Sequence, residues 1–427
     1  MKARATTLLL FNLCLFLVFQ FAQANEGTIA LVNARIIDGT GAIPIETGTL
    51  VITDGRIRAV GGADVVTVPN DALVIDARGQ TIMPGMVNAH AHVGGTLGLQ
   101  GGNYTSENLI RQLHLYARYG ITTVYSLGGD QELGFNLRDS QYRQDLDRAR
   151  LYVAGIRVNG ESAEHARGLV NQAADQGADI IKTSIDDNLG QSAKPDITIL
   201  EATIEQAHAR RLPVAVHLYY LEDAKAVLRA GADIIAHSVR DQLVDEEFLN
   251  LLQETGACYI PTLTREISTF AYETVPDFFS DPFFLKAVDP AVIQELSTPE
   301  RQARYRNSAS AQQYKIALQT AMSNLDILQN RGIAIAMGSD TGPPARFQGY
   351  FEHMELWLMV EAGLSPMQAI VAATGQPAAC MNQSDIGTLE PGNWADFVVM
   401  DENPLENIRN TRSINSVWIA GNRVLEE

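Results

Sequence analysis

Apolar, strand-like runs alternate with helical patterns through the middle of the chain, and this alternation limits the fold more than any other feature. Eight runs end near these residues: His92, Leu127, Val158, Ile185, Tyr219, Val239, Leu263 and Gly338. Helical patterns follow several of them, at 161–176, 197–211, 221–230 and 245–255. Since no glycine-rich phosphate loop follows the first strand, the alternation favours the α/β class and a (β/α)8 TIM barrel over a doubly wound sheet.

Shorter strand-like runs separated by turn signals flank this region on both sides. They lie at 29–32, 49–53, 57–60 and 72–75, and again within 387–401 and 416–424. A β unit shared by both ends implies that the middle folds as an insertion closing on itself. The sequence therefore predicts a small β domain from 25–82 plus 385–427, and a barrel from 83–384.

Residues 265–307 interrupt the alternation. This segment contains four prolines, and six aromatic residues lie between 270 and 284. We expect a long insertion after the seventh barrel strand, and insertions at the active-site end of a barrel often act as lids.

Residues 1–24 have the pattern of a cleaved secretory signal. Lys2 and Arg4 precede an apolar run from Leu8 to Phe19, and a small-x-small cleavage site ends at Ala24. A membrane anchor is the alternative, but the run is shorter than the ~20 residues that a spanning helix needs. We therefore expect a periplasmic or secreted protein, exported and cleaved near Ala24, with no stable membrane anchor.

The charge and the cysteines restrict the partners and the kind of site. A formal net charge of −18 argues against nucleic acid and anionic membrane surfaces as partners, and it says little about a small-molecule substrate. Beyond the signal only Cys258 and Cys380 occur, too few for a thiolate zinc site or a disulfide-built scaffold. Whether these two cysteines pair, and whether the chain forms a homo-oligomer, are open.

Metal-competent or ionisable side chains occur at the predicted C-terminal ends of the barrel strands, where barrel enzymes carry their reactive groups. The set is His90, His92, Lys182, His217, His237 and Asp340. His90 and His92 are two apart on a strand, so both imidazoles can face one point. An isolated His-x-His pair more often faces solvent, but the other members of the set favour a metal site.

Lys182 lies in an apolar run, where an unpaired ammonium would be costly. Burial favours the neutral amine, which can add CO₂ to give a carbamate. That carbamate behaves as a carboxylate able to bridge two cations. The alternatives are a lysine that reaches the barrel rim and one that pairs with Asp186.

This set of residues resembles the amidohydrolase superfamily. The patterns MPGMVNAHAH, AVHLYY, AHS and GSDTG are most similar to its imidazolonepropionase and prolidase-like (Xaa-Pro dipeptidase-like) group. Residues 387–401 resemble the family's C-terminal β-sandwich signature. The resemblance therefore implies that the split β domain is a β-sandwich.

The resemblance also implies two divalent metal ions. Carbamylated Lys182 would bridge an ion on His90, His92 and Asp340 to an ion on His217 and His237. Nitrogen and oxygen ligands suit zinc best, with manganese as an alternative. A shared hydroxide would be the nucleophile. Asp340 would take its proton and pass it to the leaving amine.

Three further residues are candidates for substrate contacts. The Tyr219 phenol could hydrogen-bond the developing oxyanion, although an aromatic residue at a strand end equally often packs. The Arg240 guanidinium could hold a substrate carboxylate, or it could pair with Asp241 or Glu246. Arg265, which opens the insertion, is a further candidate for the carboxylate.

Together these features predict a metal-dependent hydrolase that cleaves a C–N amide bond in a dipeptide or N-acyl amino acid. An esterase or lactonase would use the same nucleophile. A mononuclear site with unmodified Lys182 would favour a cyclic-amide, imidazolone-type hydrolase. A catalytically inactive binding protein is the alternative of another class, and the presence of all six ligand residues argues against it.

Overall fold

The computed structural model describes residues 27–425, and the predicted signal segment 1–24 lies outside this range. The strands are β1 (Ile29–Ile36), β2 (Ile45–Thr53), β3 (Arg56–Gly62), β4 (Leu73–Asp76), β5 (Thr81–Pro84), β6 (Met86–Ala91), β7 (Thr96–Leu97), β8 (Gln100–Gly101), β9 (Ile121–Ser126), β10 (Arg150–Val153), β11 (Ile181–Ile185), β12 (Val214–Leu218), β13 (Ile234–Ala236), β14 (Cys258–Ile260), β15 (Phe397–Met400), β16 (Ile414–Ile419) and β17 (Asn422–Arg423).

The helices of the described range are α1 (Ser106–Arg118), α2 (Glu132–Asp139), α3 (Ala163–Asp175), α4 (Ile197–Ala209), α5 (Leu221–Arg229), α6 (Glu246–Thr255), α7 (Leu263–Ile267), α8 (Pro282–Leu285), α9 (Pro290–Leu296), α10 (Pro299–Arg306), α11 (Ala309–Asn330), α12 (Tyr350–Glu361), α13 (Pro366–Ala372) and α14 (Gly375–Cys380). Short 3₁₀ helices lie at Ala271–Glu273, Asp277–Ser280 and Ile408–Arg412. Within 27–425, none of the helices has the length and apolar character needed to cross a membrane.

One eight-stranded sheet combines strands from both ends of the described chain. Its order is β17-β16-β15-β5-β1-β2-β3, and β4 pairs in parallel with β1. The strand β15 pairs antiparallel with β5, which leads directly into β6. The late strands therefore pack beside the entry to the strand that carries the His-x-His pair.

The strands of the middle region pair in parallel. They form a three-stranded sheet, β10-β9-β6, and a four-stranded sheet, β11-β12-β13-β14. Isolated parallel bridges join Arg157 to Lys182, Tyr259 to Ile335 and Ala91 to Thr341. Parallel strands alternating with helices confirm the predicted α/β class.

Two strand predictions differ from the structure. The third strand, β10, ends at Val153 rather than near Val158, because Gly155 takes a φ of 71° that leaves the extended conformation. The run predicted to end near Gly338 forms no regular strand. Asp340, two residues later, has a φ of 53°, and a left-handed residue cannot continue a strand.

The predicted insertion is a series of short helices, α8 to α10, between β14 and α11. Its prolines begin these helices: Pro282, Pro290 and Pro299 each lie in a first turn, where the missing N–H costs nothing. Asp281 and Asp289 cap two of them by accepting backbone hydrogen bonds. Proline therefore marks helix starts in this segment and not an irregular loop.

Cys258 and Cys380 form a disulfide, which settles the pairing that the sequence left open. The bond joins β14 to the end of α14 across a sequence separation of 122 residues. It ties a strand of the four-stranded sheet to the chain that leads back to the eight-stranded sheet.

Candidate functional site

The His-x-His pair lies at the C-terminal end of β6, and Asp340 lies beside it. The contact of His92 Nδ1 with the Gly128 carbonyl oxygen, at 3.0 Å, turns its Nε2 to within 3.0 Å of Asp340 Oδ1. His90 Nε2 is 3.7 Å from the same oxygen. One ligand atom from each of these three residues lies within 4.8 Å of the others. We call His90, His92 and Asp340 the first ligand group, and its imidazole and carboxylate donors can hold a divalent ion.

Asp340 is held in an uncommon backbone conformation. A φ of 53° costs a residue other than glycine roughly 1–3 kcal/mol and persists only where the surroundings enforce it. The Asp340 N–H donates to the His90 carbonyl at 2.7 Å, and Arg346 Nη1 contacts the carboxylate. Burial opposes ionisation, but Arg346 and His92 hold the pKa of this carboxyl well below its usual range.

Lys182, His217 and His237, which we call the second ligand group, lie against the first. Lys182 Nζ is 3.3 Å from His90 Nε2. The His237 ring centroid is 4.5 Å from that of His90 and 4.3 Å from that of His217. His237 has a φ of 102°, and its Nδ1 contacts Thr262 Oγ1 at 2.7 Å. His237 is therefore a second predicted ligand, after Asp340, whose backbone has a positive φ.

All six predicted ligands line one cavity of about 340 Å³. The remaining wall is Arg157, Ser184, Asp186, Asn188, Arg265, Pro343 and Arg346. The structure therefore brings together both ligand groups and the substrate candidate Arg265. The other two substrate candidates, Tyr219 and Arg240, do not line this cavity.

Burial favours the neutral form of four predicted ligands, namely His90, Lys182, His217 and His237. It lowers the pKa of Lys182 to about 7 and that of His217 to about 4. It also lowers the pKa of His90 and His237 well below the ordinary histidine value. Neutral imidazoles and a neutral amine present lone pairs, which metal ligation requires, so the donor set fits divalent ions.

His217 is oriented by a carboxylate. Its Nε2 lies 2.8 Å from Asp186 Oδ2, and these two side chains are 23% and 14% exposed. Asp186 therefore pairs with His217 and not with Lys182, which was one alternative for that lysine. A carboxylate beside a metal-binding histidine commonly fixes the orientation of its ring.

Tyr219 and Arg240 are buried beside each other and do not line the cavity. Tyr219 is 2% exposed, and its ring centroid is 4.8 Å from the Arg240 guanidinium carbon. Arg240 is 1% exposed and pairs with Glu266 at 3.1 Å, where Asp241 or Glu246 had been considered as its partner. The roles of Tyr219 and Arg240 toward substrate stay predictions.

A buried polar network joins β6 to the segment that holds Asp340. Glu352 of α12 accepts hydrogen bonds at 2.6 or 2.7 Å from these donors: Asn88 Nδ2, Ser339 Oγ, Thr341 Oγ1 and the Gly349 N–H. The Asn88 side-chain oxygen, Oδ1, in turn accepts from the His90 N–H at 3.0 Å. One carboxylate thus fixes the residues on both sides of Asp340 and the strand that carries His90.

Comparison with known proteins identifies the family. The sequence profile of the amidohydrolase family matches residues 81–424. The chain belongs to the amidohydrolase family. As an amidohydrolase it is an enzyme that hydrolyses carbon–nitrogen bonds, which confirms the superfamily and the reaction class predicted from the motifs.

Relatives of this amidohydrolase share the fold over most of the chain. Ochratoxinase from Aspergillus niger is 24% identical over 459 aligned residues, covering 94% of this chain and 87% of the relative. The structure of a Xaa-Pro dipeptidase has a TM-score of 0.74 and 21% identity, covering 93% and 99% of the two chains. Phenylurea hydrolase B gives a TM-score of 0.74 and 22% identity, covering 93% and 96%.

Sequence reasoning missed several residues of this amidohydrolase's site. Arg157 and Arg346 line the cavity from loops whose paths the sequence does not show. Asn88 and Glu352 support the ligands from behind. Glu352 offered a signal, because an acidic side chain within an apolar helix pattern must find buried partners.

Proposed function

We propose that this amidohydrolase cleaves the amide C–N bond of a small anionic molecule, a dipeptide or an N-acyl amino acid. The observation that carries this proposal is the site cavity, where six metal-competent donors lie beside three arginines. Arg157, Arg265 and Arg346 offer guanidinium groups, which match a carboxylate in geometry and charge. The likeness to structures of Xaa-Pro dipeptidases supports a peptide-like substrate.

In this proposal the first ligand group would hold one zinc ion, and His217 and His237 would hold a second. The neutral Lys182 nitrogen could add CO₂ and lose a proton to water, and the resulting carbamate would supply a carboxylate-like ligand to both ions. Support comes from the burial of Lys182 and from its place 3.3 Å from His90 Nε2. Ions bound there would lower the pKa of water and so supply the hydrolytic nucleophile.

Asp340 carries the proton. Because Arg346 keeps this carboxylate ionised, an Asp340 oxygen can accept the proton of the attacking water and donate it to the leaving amine. Arg265 contacts the substrate carboxylate from the wall. Arg240 supports Arg265 indirectly, since both guanidinium groups pair with Glu266. The Tyr219 ring in turn packs against the Arg240 guanidinium.

We also propose that the parallel strands close into a (β/α)8 barrel over 83–384. The three isolated bridges support this closure. One of them, Arg157 to Lys182, joins the two parallel sheets to each other. The other two join the segment around Gly338 to β14 of one sheet and to β6 of the other. The eight-stranded sheet would belong to a β-sandwich domain formed by 25–82 plus 385–427.

Export to the periplasm or the medium is a further proposal. The Cys258–Cys380 disulfide supports it, because structural disulfides persist mainly in oxidising compartments. The predicted cleavage near Ala24 accounts for the route. An N-terminal sequence that begins at Asn25 in protein recovered from the periplasm or medium would test both.

Metal analysis tests the site. After supply of zinc and bicarbonate at about pH 8, we expect about two zinc ions per chain, and about one in Lys182→Ala. At about pH 6 the wild-type content should fall toward one, since Lys182, with a pKa of about 7, is then protonated and cannot add CO₂. One ion in both proteins at pH 8 would contradict the bridged site.

Paired substrates test the reaction. Dipeptides and N-acyl amino acids are assayed beside esters of matched structure on the zinc-loaded protein. Turnover of the amides supports the proposal. Turnover of the esters alone would contradict it and favour an esterase or lactonase.

A further inference from the structure

A second cavity, of about 420 Å³, adjoins the cavity of the candidate metal centre. We call it the flanking cavity. Pro343 and Arg346 line both cavities, and Arg346 also pairs with Asp340. The boundary between the two spaces is therefore a side chain that touches a predicted ligand.

Four segments enclose the flanking cavity, and two of them continue from predicted metal ligands. Residues 96–98 follow His92, and residues 342–350 follow Asp340. The insertion supplies residues between 284 and 292, and the α1 segment supplies residues between 111 and 119. At Gly342, with a φ of 112°, a Cβ atom would overlap the His92 carbonyl oxygen. The backbone of the cavity wall thus packs directly against the backbone of a ligand.

The wall of the flanking cavity differs in chemistry from the wall of the metal centre. Its buried or half-buried apolar and aromatic side chains include Leu115, Phe284, Val288, Val292, Phe347 and Tyr350. Its polar members are Thr96, Arg111, Gln112, Asp289, Arg346 and Gln348, of which Arg111 and Asp289 are exposed. Concave, mainly apolar sites of this size bind apolar parts of small molecules. The metal centre beside it carries six ionisable donors and three arginines.

We propose that the flanking cavity is a substrate subsite that binds a bulky apolar group, such as an aryl ring, while the scissile amide lies in the metal-centre cavity. The inference rests on the proposed amide hydrolysis and names its substrate class: amino acids that carry a large apolar acyl group. A small acyl group would leave the subsite empty and gain none of its binding free energy.

Two amides that differ only in the acyl group test the subsite, namely N-(2-naphthoyl)glycine and N-acetylglycine. The wild-type kcat/KM should favour the naphthoyl amide by at least about tenfold, because burial of the rings contributes to binding in the transition state. Ala287→Trp should lower this ratio about tenfold, since Ala287 lines the cavity and the larger side chain fills it. Val292→Phe fills the cavity from α9 and should act in the same direction.

Ala291→Trp is the matched control. Ala291 is exposed on α9 and does not belong to the cavity wall, so the ratio should stay at the wild-type value. Melting temperatures of all variants show whether each is folded. An unchanged ratio in both Ala287→Trp and Val292→Phe would overturn the subsite.

Equilibrium dialysis separates this inference from the proposed function. N-(2-naphthoyl)glycine should bind the zinc-loaded protein, and Ala287→Trp should weaken that binding about tenfold. If it binds in this way and neither amide is hydrolysed, the proposed function fails and the subsite stands. If N-acetylglycine is hydrolysed but the naphthoyl amide is not bound, the subsite fails and the proposed function stands.

Discussion

The two ligand groups are held in different ways. In the first group, hydrogen bonds from Asn88 and the Asp340 segment converge on Glu352, so the positions of His90 and Asp340 are fixed by buried contacts. In the second group, His217 is oriented by Asp186 in a partly exposed pair. A ligand held by many buried contacts is ordered before an ion arrives, whereas one held by a single part-buried contact, as His217 is, can adjust to it. The first group should therefore determine whether the site forms.

The largest effect is expected from Asp340→Asn. The amide keeps an oxygen donor but cannot carry the proton, so turnover of N-acyl amino acids should fall by about 10³-fold or more. Zinc should stay largely bound, as metal analysis of the purified variant would show. Asp145→Asn, whose side chain is 61% exposed, serves as the control and should keep full activity. Near-normal turnover in Asp340→Asn would sink the assignment of the proton carrier.

Next in size is Gly342→Ala. The added Cβ would overlap the His92 carbonyl oxygen at a φ of 112°, so the backbone that follows Asp340 must shift. We expect the free energy of unfolding to fall by about 3 kcal/mol, together with loss of zinc from the first group. Chemical denaturation and zinc content measure both.

Gly101→Ala is the control for that substitution. No heavy atom lies within 4 Å of an ideal Cβ at Gly101, and its φ is not in the left-handed region. It should keep wild-type stability. Wild-type stability in Gly342→Ala would show that the backbone of His92 is not constrained by Gly342. It would also weaken the conclusion that the first ligand group is held more rigidly than the second.

Glu352→Gln tests the network itself. Glutamine keeps one acceptor but turns an N–H₂ group toward either the Gly349 N–H or the donors from Asn88 and Ser339. Zinc affinity, measured by competition with a chelator, should fall about 10–100-fold, which is the usual cost of losing support behind a ligand.

The control is Glu361→Gln at the exposed end of the same helix, where the carboxylate pairs with Arg409 on the surface. Loss of zinc affinity in both variants would indicate a general effect on α12. Loss in Glu352→Gln alone would identify Glu352 as a positioning residue.

The geometry of parallel strands explains which residues of the candidate site could be predicted from the sequence and which could not. His90, Lys182 and His217 could be assigned to one site because the C-terminal ends of parallel strands meet at one edge. Arg346 could not, since its contact with Asp340 depends on the path of a six-residue loop. Neither could the flanking cavity, which forms only where that loop meets the insertion.

Backbone conformation limited the prediction in a second way. Asp340 was assigned to a strand end from the apolar run before it, and the structure places it in the cavity with the other predicted ligands. With a φ of 53°, Asp340 does not have the extended conformation of a strand residue. No local pattern of residue types predicts such a conformation at this aspartate. Glu352 accepts hydrogen bonds from Ser339 and Thr341 on either side of Asp340, and these contacts stabilise the irregular segment.

The smallest effect is expected from Asp186→Asn, and it sharpens the comparison most. The change weakens the contact with His217 Nε2 but leaves the backbone contact at Asn188, so the second group keeps most of its shape. Binding of the second zinc ion should weaken by less than about tenfold, with the first unaffected. Asp187→Asn is the control, because the Asp187 side chain contacts Tyr220 instead of a ligand. If Asp186→Asn costs as much zinc affinity as Glu352→Gln, then both groups are equally ordered in advance, and the proposed division of the site into a fixed and an adjustable half is wrong.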